Sequence, residues 1–124
     1  MEARFGKGFR KLEVVKEAHV LVKMIYEATK VFPQDERFGL TSQLRRAVVS
    51  VPTNIIEGQA RVSKKEFLNF LNIANSSLVE VEYLLGLSMD LGYLKKEDYE
   101  KIEDQRQKVA GYLVNLMKSV RNKL

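Results

Sequence analysis

Residues 38–67 read FGLTSQLRRAVVSVPTNIIEGQARVSKKEF, and this run encodes one long helix, a tight break and the start of a second helix. Leu40, Leu44, Val48, Val51 and Ile55 recur at helical spacing and form an apolar seam. Gln43, Arg46, Ser50, Asn54, Glu57 and Arg61 recur at the same spacing on a neighbouring face. Pro52 sits inside this pattern. It offers no N–H to the carbonyl of Val48 and its ring crowds that turn, so a kink is expected. A proline inside a helix costs roughly 3 kcal/mol, which the surrounding packing must offset.

Outward from this run, the chain divides into further helices. The first spans about 11–32, with Val14, Ala18, Leu21, Ile25, Ala28 and Phe32 as its seam. Pro33 stops it, because the residue before a proline resists helical geometry. The second helix begins at Asp35 or at Leu40 and ends near Ala60. The acids Asp35 and Glu36 suit the positive end of a helix dipole. Ser63 and Glu66 form a capping box that starts the third helix. Phe67, Leu71, Ala74, Leu78, Val81 and Leu85 carry that helix to Gly92, a natural terminator. The fourth spans about 96–122. Glu97, Asp98 and Glu100 open it, and Lys118, Arg121 and Lys123 close it. Its seam is Tyr99, Ile102, Val109, Leu113, Leu116 and Val120, with Arg106 as the polar interruption. Short connections favour an all-α, antiparallel up-down-up-down four-helix bundle over 11–124. Residues 1–10 are read as a basic arm. Val79, Tyr83, Leu84 and Leu87 make the third helix apolar on more than one face. That implies either an oligomer contact or a helix central in its own monomer.

The central run closely resembles the four-helix-bundle proteins first found encoded in intervening sequences of bacterial 23S rRNA genes, the S23 family. That family includes the accessory proteins of diversity-generating retroelements. The resemblance rests on Leu40-Thr41-x-Gln43-Leu44-Arg45-Arg46-Ala47, then Ser50-x-Pro52-x-Asn54-Ile55-x-Glu57-Gly58, then Arg61 and Glu66-Phe67. Leu12-Glu13-Val14, Phe32-Pro33, Phe70-Leu71-x-Ile73-Ala74 and Leu91-Gly92-Tyr93 extend it over nearly the whole chain. Val15 stands where many relatives carry tryptophan, and Asn75-Ser76-Ser77 replaces a more usual Gly-Ser. The resemblance implies a homopentamer around a central pore. In the retroelement branch it also implies a partner of a reverse transcriptase that binds RNA or DNA.

The 124 residues suffice for one domain with its own core. With no cysteine there is neither a disulfide framework nor a thiolate metal site. No signal peptide or membrane-length apolar run is present, so a cytoplasmic location is expected. The formal charge of +5 permits binding to a polyanion without demanding it.

Catalytic patterns are missing. His19 is the sole histidine, and Lys16 stands three residues before it, which excludes the Glu-x-x-His pairs of metal-carboxylate bundles. Gly6-Lys7-Gly8 is too short for a phosphate loop. No cofactor is expected, and a non-enzymatic protein is. The candidate nucleic-acid contacts are Arg45 and Arg46 on the second helix, Arg61, Lys64 and Lys65 at the second turn, and Lys95 and Lys96 at the third. Arg4, Lys7, Arg10 and Lys11 add to them from the arm. The second and third turns lie at opposite ends of an up-and-down bundle. Such cations contact phosphates without base specificity, and with no aromatic RNA-recognition motif, readout of backbone and shape is expected. The polar stripe reads as structural. The competing reading is a protein-interaction scaffold whose charge serves solubility.

Overall fold

The computed structural model describes residues 12–124; the basic arm read at 1–10 lies outside them. Its helices are α1 (Glu13–Thr29), α2 (Leu40–Gln59), α3 (Lys64–Asp90) and α4 (Lys96–Asn122), with a 3-10 turn at Gln34–Glu36 before α2. No strand is present among the described residues. Each helix packs antiparallel on the next, and α4 returns against α1, closing a four-helix bundle.

The seams meet as their spacing dictates. Leu44, Val48, Val51 and Ile55 of α2 are buried against Leu71, Leu78, Val81 and Leu85 of α3, Leu21 and Ile25 of α1, and Val109 and Leu113 of α4 in one core. Each such side chain stabilises the fold by roughly 1.5–3 kcal/mol relative to exposure. Leu84 is also buried and Leu87 half-buried, so part of the second apolar face of α3 belongs to the monomer core. Val79 and Tyr83 remain 55% and 68% exposed.

Helix ends follow local chemistry. Ser63 Oγ accepts the Glu66 backbone N–H at 3.0 Å, which forms the serine half of the expected capping box. Gly92 ends the α3 region with φ of +79°, the left-handed conformation glycine tolerates. One boundary differs from the sequence expectation, and another resolves between the two starts it left open. The first helix stops at Thr29, three residues before Phe32, whose ring turns inward onto Tyr93 with centroids 5.6 Å apart. Asp35 and Glu36 belong to the 3-10 turn rather than to α2. There Glu36 Oε1 accepts the Leu40 N–H at 3.1 Å, while Oε2 accepts the Tyr93 hydroxyl at 3.0 Å. One carboxylate thus caps α2 and ties it to the α3–α4 turn. That hydrogen bond to Glu36 is the main reason the Tyr93 phenol is pushed above its ordinary range.

The helices α2 and α3 approach closely at Gly58. A methyl group there would lie 2.6 Å from Phe70 Cβ and 2.9 Å from Phe67 Cδ1. The glycine of the Glu57-Gly58 motif is thereby explained by packing.

Candidate nucleic-acid interface

The outer side of α2 carries an open groove of about 690 Å³. Arg37, Arg45 and Arg46 line one half of it and Glu57 the other. The arginines differ in what holds them. Arg45 is half-buried, and its Nε donates to Thr29 Oγ1 at 2.8 Å. Its guanidinium lies 4.6 Å from the Tyr26 ring centroid, and Nη2 reaches the Tyr26 carbonyl at 3.4 Å. A cation over the last turn of α1 complements the negative end of that helix. Arg45 therefore braces α1 against α2 and has less freedom than a surface cation. Arg46 is exposed and forms no ion pair among the described residues.

The polar stripe beside the seam bridges α2 and α3. Ser50 Oγ and Ser77 Oγ lie 2.8 Å apart, and Gln43 Nε2 donates to Glu80 at 3.4 Å. Asn54 Nδ2 donates to the Ser50 carbonyl at 2.8 Å and to its hydroxyl at 2.9 Å. Thr53 Oγ1 donates to the Val49 carbonyl at 2.7 Å. These side chains serve backbone and neighbouring helix around Pro52, and the helix runs without interruption through that residue.

Lys64 and Lys65 are exposed at the start of α3, and exposed Arg61 stacks over Phe70 at 4.7 Å from the ring centroid. The third and fourth helices are each 27 residues long and antiparallel. Arg106 Nη2 meets Glu82 at 3.2 Å across them. Equal length and this register bring the end of α4 level with the start of α3. Lys118, Arg121 and Lys123 therefore share the end of the bundle that holds Arg61, Lys64 and Lys65. None of these forms an ion pair among the described residues. Sequence reading credited the α4 cations only with dipole complementarity; hairpin symmetry was the signal that places them in this patch. Lys95 and Lys96 are exposed at the opposite end, where α4 begins.

Several other ionisable groups have structural partners. Arg106 is 7% exposed, and its Nε and Nη2 donate to the two Glu103 oxygens at 2.7 Å each. The Arg106 hydrogen bond holds the Glu103 carboxyl below the usual carboxylate range. Burial, with Lys23 nearby, pushes the His19 imidazole below its ordinary value, as befits a packing residue. Glu17 accepts from Gln105 at 2.9 Å, which lowers its carboxyl. No group of histidine, aspartate and glutamate among the described residues could hold a metal. No described helix is long and apolar enough to cross a membrane.

Fold and surface together define a four-helix bundle with a cationic end and a basic, partly aromatic groove along α2. The chain belongs to the 23S rRNA-intervening sequence protein family, whose model matches residues 10–115. It is also similar to the crystal structure of a protein of unknown function from the S23 ribosomal protein family of Bacteroides thetaiotaomicron VPI-5482. The two share 26% identity with a TM-score of 0.76, over 85% of this chain and 95% of that one. No curated protein matches the chain.

Proposed function

We propose that this protein is a non-enzymatic accessory factor that binds RNA or DNA through its cationic surfaces. The observation that carries the reading is the convergence of Arg61, Lys64, Lys65, Lys118, Arg121 and Lys123 at one end of the bundle without carboxylate partners among the described residues. Unneutralised cations held together on a rigid scaffold release counterions from a phosphate backbone when they bind it. Lys95 and Lys96 form a smaller second contact, and Arg46 a third.

In this proposal the protein works as a homopentameric ring. Val79 and Tyr83, with Ile73 at 48% exposure, give α3 an apolar outer face suited to a neighbouring protomer. Symmetry then repeats each weak phosphate contact and multiplies avidity. Pro52 bends α2; in support, the Val49 and Ser50 carbonyls beside it take side-chain donors from Thr53 and Asn54. The protein partner is a reverse transcriptase if the chain serves a retroelement. The same α3 face supports a second reading, a protein-interaction scaffold.

Fluorescence anisotropy with a labelled structured RNA separates these readings. The variant Arg61→Ala/Lys64→Ala/Lys65→Ala is expected to weaken binding strongly, and Lys95→Ala/Lys96→Ala modestly. Wild-type affinity in both variants would sink the phosphate-binding proposal and favour the scaffold.

A further inference from the structure

Phe38 is 88% exposed at the mouth of the α2 groove, although burying such a ring would stabilise the fold by roughly 1.5–3 kcal/mol. The Arg37 guanidinium lies 5.4 Å from its centroid. Tyr26 lines the same half of the groove and is 41% exposed beneath Arg45. Arg46 and Ser42 line the same groove, and Arg46 forms no ion pair among the described residues. The fold uses neither the open face of Phe38 nor the charge of Arg46. Glu57, the groove's carboxylate, sits at the far end of the helix, so the aromatic half is the positive half.

We infer that this half of the groove is a stacking site for unpaired nucleotides, so that the protein prefers single-stranded over duplex nucleic acid. The inference rests on the nucleic-acid reading above and goes beyond it by naming the strand state and the residue that reads it. A base stacks on Phe38. Arg46 and Arg37 hold the flanking phosphates. Every base has a π face, so such a platform is indifferent to sequence, and a duplex, whose bases are stacked on one another, cannot offer one. A positively charged groove with an aromatic step is the arrangement that single-strand binders use. A second copy paired groove to groove would instead meet arginines that need acids, and the groove offers itself only Glu57 in return. Stacking adds to the expected readout of backbone and shape without giving base specificity.

The test compares a labelled short oligouridine with an RNA duplex of equal length, for wild type, Phe38→Ala and Phe38→Trp. Phe38 is solvent-exposed, so its removal leaves the fold intact, which a thermal melt checks. Oligouridine is expected to bind more tightly than duplex. Phe38→Ala should weaken the oligouridine complex by about tenfold, within the range stacking supplies, and leave the duplex complex unchanged. Phe38→Trp should retain affinity and lose indole emission on adding oligouridine. Unchanged oligouridine affinity in Phe38→Ala, with duplex still bound, overturns the stacking site while the phosphate-binding reading survives. A Phe38→Ala protein that binds normally but assembles with a different mass assigns the ring to a protomer contact and overturns it too. If wild type binds neither probe, the nucleic-acid reading falls and this inference with it.

Discussion

Gly58→Ala offers a sharp perturbation of the α2–α3 interface. In an open helix the change would stabilise by about 1 kcal/mol, because alanine is the better helix former. Here the new methyl would lie 2.6 Å from Phe70 Cβ, 2.9 Å from Phe67 Cδ1 and 3.3 Å from the Phe67 carbonyl oxygen. Phe70 Cβ is fixed to the α3 backbone and cannot swing aside, so relief requires α2 and α3 to separate by about 1 Å. A gap of that size forfeits a quarter to a half of each dispersion contact along the interface. Overpacking of this kind costs about 1–3 kcal/mol, which outweighs the propensity gain. Because a kilocalorie moves Tm by roughly 4–8 °C in a domain near this size, melting should fall by several degrees. Gly111→Ala is the control, since nothing lies within 4 Å of its added methyl; that variant should melt at or above wild type. The assay is thermal unfolding by circular dichroism, with urea unfolding to check that the m-value is unchanged. Equal or greater stability in Gly58→Ala would refute the packing explanation of this motif glycine.

Other expectations follow from the same structure. Arg106→Ala removes the cation from half-buried Glu103 and exposed Glu82; it should cost about 2 kcal/mol in urea unfolding, and a loss under ~1 kcal/mol would contradict a structural ion pair. Glu103 titrates below its unfolded value, so its stabilisation is complete above the ordinary carboxylate range and disappears as pH falls through its folded value. The acid-side loss of stability should therefore be smaller in Glu103→Gln than in wild type, and parallel pH curves would count against it. Ser63→Ala deletes the α3 cap and should cost about 1 kcal/mol; no change in the unfolding midpoint would show the cap to be dispensable.

Much of the bundle was readable because its signals are local. The Leu44–Ile55 seam, the Ser63 cap and the Gly92 terminator each depend on residues within a turn or two. The boundary that was misplaced and the one left open depend on chain reversal. Thr29 Oγ1 donates to the Ile25 carbonyl at 2.8 Å and accepts from Arg45 on the next helix, which closes α1 early. Glu36 starts α2 from outside it because Tyr93, 57 residues away, shares its carboxylate. Site residues divide in the same way. Arg61, Lys64 and Lys65 announce themselves as a cationic turn. Lys118, Arg121 and Lys123 join them only through the equal lengths of α3 and α4. Arg46 could be found by its place on the polar stripe, but not the bracing of its neighbour Arg45 by Thr29 and Tyr26. Phe38 had no periodic partner to mark it, and its exposure emerges only when α2 is seen to begin at Leu40.

The salt dependence of wild-type binding to structured RNA and duplex DNA, on nuclease-treated protein, decides whether the cationic end is a phosphate-binding surface. Log affinity should fall linearly with log salt between about 50 and about 200 mM, with a slope that becomes shallower in Arg61→Ala/Lys64→Ala. Absence of binding at the lowest salt, or binding indifferent to salt, would contradict the proposed role and leave the protein scaffold as the better reading.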